Sequence, residues 1–251
     1  MRVPERQWRV VVAVMLLLSV GPGYPGAVEA EDPPTVAEAI SRLKAGNAQF
    51  VAAPESALPI TSARRTALAT GQTPFAAVLS CADSRVPPEV VFHTGLGDLF
   101  VVRAAGHVAD RSILASLEYA VEHLHVPLIV VMGHESCGAV KAAVDTPASQ
   151  SLGPNLDYML KAIRPAVAAT ASAPDASRIR AAILKNVEDS INDLLEGSAA
   201  LRHLAQGGKI GFVGAFYELG TGRAHFSEPA MVSLAASSHA PGHAAASAAA
   251  H

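Results

Sequence analysis

The chain has little charge and few aromatic rings: of 251 residues, 16% are charged and 5% are aromatic, and the net charge is −3. Its lysines and arginines form no basic stripe, which argues against a nucleic-acid partner, because phosphate binding needs clustered cations. There is no internal repeat and no interior linker. Tryptophan occurs once, as Trp8, and cysteine twice, as Cys81 and Cys137. Each cysteine is therefore half of a disulfide, a reactive nucleophile or a metal ligand. Apolar residues, by contrast, make up half of the chain, enough to bury a substantial core in one sizeable domain or two small ones.

Both ends read as peripheral. Arg2, Arg6 and Arg9 precede an apolar run from Val10 to Val20, and Val28-Glu29-Ala30 supplies small residues at a cleavage site. This pattern predicts a secretory signal over residues 1–30 and an exported chain, periplasmic or secreted. The run is short for a membrane span, and an uncleaved membrane anchor is the alternative. Residues 229–251 are rich in Ala, Ser and His and predict a disordered tail, in which His239, His243 and His251 could hold a metal only loosely.

Between the ends, periodicity alternates. Thr35 and Glu38 form a capping-box pattern ahead of Val36, Ile40, Leu43 and Phe50 at helical spacing, and Ser62 to Thr70 predicts a second helix, together an N-terminal helical arm. Phe75–Ser80, Leu99–Val102 and Leu128–Met132 are continuous apolar runs of the kind that form strands buried on both faces. Asp110 caps a helix carrying Ile113, Leu117 and Val121, and Cys137–Val144 reads as helix. A long helical region spans Ser177 to Leu204, with Ile183, Val187, Ile191 and Leu194 at helical spacing. Ile210–Phe216 is a fourth strand, and Ala224–Phe226 closes a hairpin with it. Loops are expected at Thr146–Pro154 and Ala171–Ala176. The fold class that follows is α/β: a mostly parallel central sheet, four parallel strands plus a C-terminal antiparallel edge strand, flanked by helices.

Cys81 and Asp83 directly follow one predicted strand, and His134 and Cys137 directly follow another. In open parallel sheets ligands bind beyond the carboxyl ends of the strands, where two such loops converge. Two thiolates and an imidazole suit zinc, with a carboxylate or water completing a tetrahedron. A disulfide between the two cysteines is the simpler reading on cysteine count alone, but it gives His134 and Asp83 no part. A Cys137 nucleophile activated by His134 leaves Cys81 idle. The four residues together favour the metal.

"CADSRVPPE", followed some fifty residues later by "GHESCGAV", resembles the β-class carbonic anhydrases, whose pattern is Cys-x-Asp-Ser-Arg and then His-x-x-Cys-Gly. "GDLFVVRAAGHV", "LEYAVEHLHVPLIVVMGH" and "VGAFYELGTGRAHF" extend the likeness over a domain of residues 33–228. The resemblance implies reversible hydration of carbon dioxide to bicarbonate by attack of zinc-bound hydroxide. It implies Zn2+ on Cys81, His134 and Cys137, with Asp83 and Arg85 as a catalytic carboxylate–guanidinium pair. Asp83 would join the metal only in a closed state. It also implies a substrate pocket of Gln72, Phe100, Ala105, Tyr119 and Gly138, partly supplied by a neighbouring subunit, and hence a homodimer or higher even oligomer. A non-catalytic zinc-stabilised bicarbonate-binding protein on the same fold is the alternative.

Some positions depart from the family. Ala104 and His107 stand where asparagines are often found, which leaves the shape of that loop open. Val78 stands where one subtype has a tryptophan that helps to bind a regulatory bicarbonate, so a site open near neutral pH is expected. Arg103 is present and could serve a dimer contact. His93, His107 and His123 are candidate proton relays, although most of the histidines are expected at the surface.

Overall fold

The computed structural model describes residues 33–228, so the expected signal and tail lie outside the described residues. Among the described residues five strands form one sheet in the order β2-β1-β3-β4-β5: β1 (Ala76–Ser80), β2 (Leu99–Arg103), β3 (Leu128–His134), β4 (Gly211–Tyr217) and β5 (Ala224–Phe226). The first four run parallel, with Ala76 beside Leu99, Ser80 beside Met132 and His134 beside Tyr217. β5 returns antiparallel along β4. The parallel sheet with an antiparallel edge is the architecture expected from the alternation of apolar runs and amphipathic segments.

Every residue of β1 and β3 is buried, as continuous Val/Ile/Leu runs require when both faces are covered. Alternate residues serve opposite layers. Val78, Val130 and Val213 face one apolar cluster, with Leu43, Phe92, Leu160 and Ile163. Ala77, Leu79, Ile129 and Phe212 face a second, with Leu117, Ile191, Leu194 and Leu201. β2 differs from the expected doubly buried strand. It is the sheet edge, its apolar residues are only half-buried and Arg103 is exposed.

The helices are α1 (Val36–Ala52), α2 (Ser62–Ala67), α3 (Pro88–Val91), α4 (Arg111–His123), α5 (Gly138–Asp145), α6 (Pro154–Ala169), α7 (Asp175–Gly197) and α8 (Ala199–Gln206). α1 opens with the capping box: Glu38 N–H donates to Thr35 Oγ1 at 3.3 Å, and Thr35 N–H donates to Glu38 Oε2 at 2.8 Å. Asn47, buried on α1, uses its whole amide. It donates to the carbonyls of Val91 and Gly222 and accepts from Ala224 N–H, all at 2.9 Å, so it ties α1 to α3 and to the hairpin. α4 is capped by Asp110, whose Oδ1 accepts from Ser112 and Ile113 N–H at 2.9 and 3.0 Å.

Three details differ from the sequence expectations. α6 fills the stretch between the two expected loops, burying Leu160, Ile163 and Ala166. The long helical region is two helices, because Ser198 leaves helical geometry and its hydroxyl caps α8 at Leu201 N–H, 3.1 Å away. Pro87-Pro88 starts the short helix α3, with proline at its first position, where no N–H is needed. Among the described residues no helix is long and apolar enough to cross a membrane.

Candidate metal centre

β1 and β3 are neighbours, so their carboxyl ends lie side by side and deliver the chemistry. Cys81 follows β1, His134 is the last residue of β3, and Cys137 caps the N-terminus of α5. The ligand atoms of these three residues lie within 4.8 Å of one another, and all three residues are buried. The sulfurs are 4.0 Å apart, about twice a disulfide bond, and both cysteines are free. The disulfide reading is excluded in this structure.

The turn between His134 and Cys137 is held from outside. Ser136 adopts a left-handed conformation (φ 54), which is unfavourable for a residue with a side chain. Glu135 braces the turn: its N–H donates to the Tyr217 carbonyl at 2.8 Å, and its Oε2 accepts from Leu219 N–H at 3.0 Å. His134 Nδ1 lies 2.9 Å from the Glu135 carbonyl, which can only accept, so Nδ1 carries the proton and Nε2 presents a lone pair. That Nε2 is buried and has no hydrogen-bond partner. A buried acceptor left unpaired is costly, and a zinc ion held by two thiolates and this nitrogen would satisfy it. A histidine whose second ring nitrogen is held by a carbonyl is the usual form of a zinc ligand. The residues fit the metal.

The two sulfurs can share one proton across their 4.0 Å contact, either acting as donor, so the first proton leaves the pair easily and the second is held tightly. A proton shared between two close sulfurs behaves in this way, and a dication would replace it. Backbone N–H groups add to the anion-stabilising field: Gly106 N–H donates to Cys81 Sγ at 3.4 Å, and those of Ala139 and Val140, in the first turn of α5, lower Cys137.

Asp83 is held by Arg85 in a bidentate pair, Nε to Oδ1 at 2.9 Å and Nη2 to Oδ2 at 2.7 Å, with Arg85 N–H adding a third bond to Oδ1 at 3.0 Å. The Arg85 hydrogen bonds keep the Asp83 carboxyl far below the usual carboxylate range, against a smaller opposing effect of burial. Asp83 Oδ2 is also 3.9 Å from His134 Nε2, so the carboxylate borders the ligand set while bound to Arg85. Arg103 Nε donates to the Cys81 carbonyl at 3.0 Å and its Nη2 to the Asp83 carbonyl at 2.5 Å. It clamps the loop that carries both residues. Sequence reasoning did not find the roles of Arg103, Glu135 and Gly106, which act through backbone atoms and carry no motif of their own.

The expected pocket residues divide. Ala105 and Gly138 lie beside the ligands, being chain neighbours of Gly106 and Cys137; both are exposed, and a Cβ on Gly138 would meet nothing within 4 Å. Gln72 instead lines an open cavity of about 400 Å3 with Leu68, Glu89, Leu96 and Leu99, none of them a ligand. Phe100 sits on edge strand β2, its ring 6.2 Å from that of Tyr119, which is 47% exposed on α4. Val78 is fully buried in the sheet.

Of the histidines considered as relays, His123 is exposed and stacks on Tyr119 at 5.1 Å, and His93 contacts Gln49 at 2.8 Å. His107 is not at the surface. It is completely buried, and burial pushes its pKa down to about 4, so it stays neutral and has no direct exit to solvent for a proton.

Comparison with known proteins agrees with this geometry. A family model described as "Carbonic anhydrase" matches residues 76–224. Carbonic anhydrase 2 of Mycobacterium tuberculosis is 42% identical over 183 residues, covering 72% of this chain and 88% of that protein. The Coccomyxa β-carbonic anhydrase, solved in complex with acetazolamide, superposes with a TM-score of 0.62 at 26% identity, over 72% of this chain and 82% of that one. One of two tetrameric β-carbonic anhydrases from Sordaria macrospora gives a TM-score of 0.59 at 28% identity, over 64% of this chain and 84% of that one. Sequence, fold and the Cys-His-Cys cluster thus agree, and the chain belongs to the β-class carbonic anhydrase family.

Proposed function

We propose that this protein catalyses the reversible hydration of carbon dioxide to bicarbonate and a proton, with zinc held by Cys81, His134 and Cys137. One observation carries the reading: the buried, unpartnered His134 Nε2 faces two sulfurs, with an ionised Asp83 beside it. Zinc, when bound, acts as a Lewis acid that lowers the pKa of a water from ~15.7 toward ~7, making a nucleophile available at neutral pH. Asp83, kept ionised by Arg85, is an acceptor that can take a hydrogen bond from that water and aim its lone pair. The Arg85 pairing also keeps Asp83 from serving as a fourth ligand, which supports an open site near neutral pH. A purely structural zinc site has no use for this pair. Gly138 N–H, at the start of α5, is assigned to the developing negative oxygen of the product.

The apolar lining of Phe100 and Tyr119, and Gln72 as the residue that hydrogen-bonds substrate, are assigned to a neighbouring subunit. The half-buried edge strand β2, and a Gln72 cavity lined by none of the three ligands, support a homodimer or a higher even oligomer. Export is proposed from the N-terminal signal pattern alone. Stopped-flow CO2 hydration, with zinc measured on the same purified sample, tests the function. Stoichiometric zinc without hydration activity would refute it.

A further inference from the structure

The turn that carries Ala105 is strained beside the metal centre. Gly106 (φ 66) and His107 (φ 47) lie successively in the left-handed region. Glycine enters that region freely, whereas a histidine does so at a cost that its surroundings can offset. The surroundings here are two residues four apart on α7. Ser190 Oγ donates to the His107 carbonyl at 3.3 Å and accepts from His107 Nδ1 at 3.2 Å. Asn186 Nδ2 donates to the Gly106 carbonyl at 2.9 Å and lies 3.4 Å from His107 Nε2. Asn186 and Ser190 are 3% exposed and His107 is fully buried, so no water competes for these bonds. At the far side of the turn, Gly106 N–H meets Cys81 Sγ. A larger residue there would be strained by the left-handed backbone and would force a shift of Ile163, whose Cδ1 lies 2.7 Å from a Cβ built at Gly106.

We propose that Asn186 and Ser190 are positioning residues of the metal centre: they hold the Gly106–His107 turn in the shape that delivers the Gly106 N–H to the Cys81 thiolate. They thereby set how strongly that thiolate donates to zinc. The proposal rests on Cys81 being a zinc ligand. A hydrogen bond to a thiolate stabilises its lone pairs and weakens its donation, leaving the metal more electrophilic. Without the brace, His107 relaxes out of the left-handed region, the N–H swings off the sulfur, and the sulfur donates more strongly.

The cobalt(II)-substituted protein reports this directly through its thiolate-to-metal charge-transfer band. In Asn186→Ala and in Ser190→Ala the band moves to longer wavelength than in wild type. With metal still stoichiometric, kcat/KM for CO2 hydration falls about 10-fold in the zinc forms. Leu194→Ala, a core truncation on the same helix, lowers thermal stability and leaves the band in place. A band unmoved in the folded Asn186 and Ser190 variants overturns the proposal, as does an equal shift in Leu194→Ala. Cadmium-loaded wild-type protein needs no substitution: its Gly106 amide proton should show a through-hydrogen-bond coupling to the spin-active cadmium nucleus, and absence of that coupling also overturns it. Wild-type protein that binds none of these metals would instead refute the zinc site itself.

Discussion

The metal half of the site and the proposed substrate half are built on different principles. Cys81, His134 and Cys137 come from the ends of two adjacent, fully buried strands of one chain, and backbone and side-chain bonds from Arg103, Glu135 and Gly106 fix their surroundings. Gln72, Phe100 and Tyr119, the proposed substrate residues, stand on exposed or half-buried segments, and the cavity that Gln72 lines holds none of the three ligands. Reactive groups need fixed geometry, which a core supplies. An apolar lining needs only a second surface, and a neighbouring subunit can supply that.

The largest effect should come from the metal half. Cys137→Ser is expected to lose both zinc and CO2 hydration, since a hydroxyl is a far poorer zinc ligand than a thiolate. Retention of stoichiometric zinc by elemental analysis would break the ligand assignment. Arg85→Ala should keep zinc but lose roughly 10- to 100-fold in kcat/KM, the usual cost of removing a partner from the outer shell of a metal site. Full activity in that variant would reduce the Asp83–Arg85 contact to an ordinary ion pair.

The comparison is sharpened by mixing subunits. If Gln72 serves the partner's metal, unfolding and refolding Cys137→Ser together with Gln72→Ala creates heterodimers with one wholly intact site. About a quarter of the sites should then be intact by random pairing, and activity should exceed the average of the two parents. No recovery would place Gln72 in its own chain's site.

The smallest effect concerns pH. The Asp83 pKa is lower in the folded protein than in the unfolded chain, so the pair contributes stability fully above the unfolded value near ~3.9 and loses it as pH falls through the lower folded value. In chelator-treated protein, the small difference in urea midpoint between wild type and Arg85→Ala should be flat from about pH 5 to 8 and close below about pH 4. A difference that vanished between pH 6 and 8 would mean that another group controls it.

Much of this was legible in the sequence because it is locally encoded. Four apolar runs gave the parallel strands, Thr35 and Asp110 announced their helices, and the two Cys-containing motifs fell where strand ends meet. α6 was not legible because Pro165, which lies inside the continuous helix, reads as a helix breaker, and its buried face, Leu160, Ile163 and Ala166, is short and includes a small alanine. The break at Gly197-Ser198 did carry a cap signal, but it was hidden inside a continuous run of helical spacing. His107 was unreadable for a different reason. Its burial and left-handed backbone depend on partners on α7 some eighty residues later, and no local pattern encodes them. The target of Arg103 was equally opaque, since backbone carbonyls leave no trace in side-chain sequence.

The separation of the two cysteines also has a consequence for how the metal is acquired. Cys81 and Cys137 are 56 residues apart in the chain, whereas His134 and Cys137 share one short turn. Closing a loop of that length in an unstructured chain costs about 3.5 kcal/mol of entropy beyond a constant, while the local pair closes almost freely. Loop entropy therefore favours His134 and Cys137 as the first ligands that a zinc ion would meet on the unfolded chain. Cys81 completes the set only when β1 docks beside β3, so tight zinc binding reports that the central strands have paired.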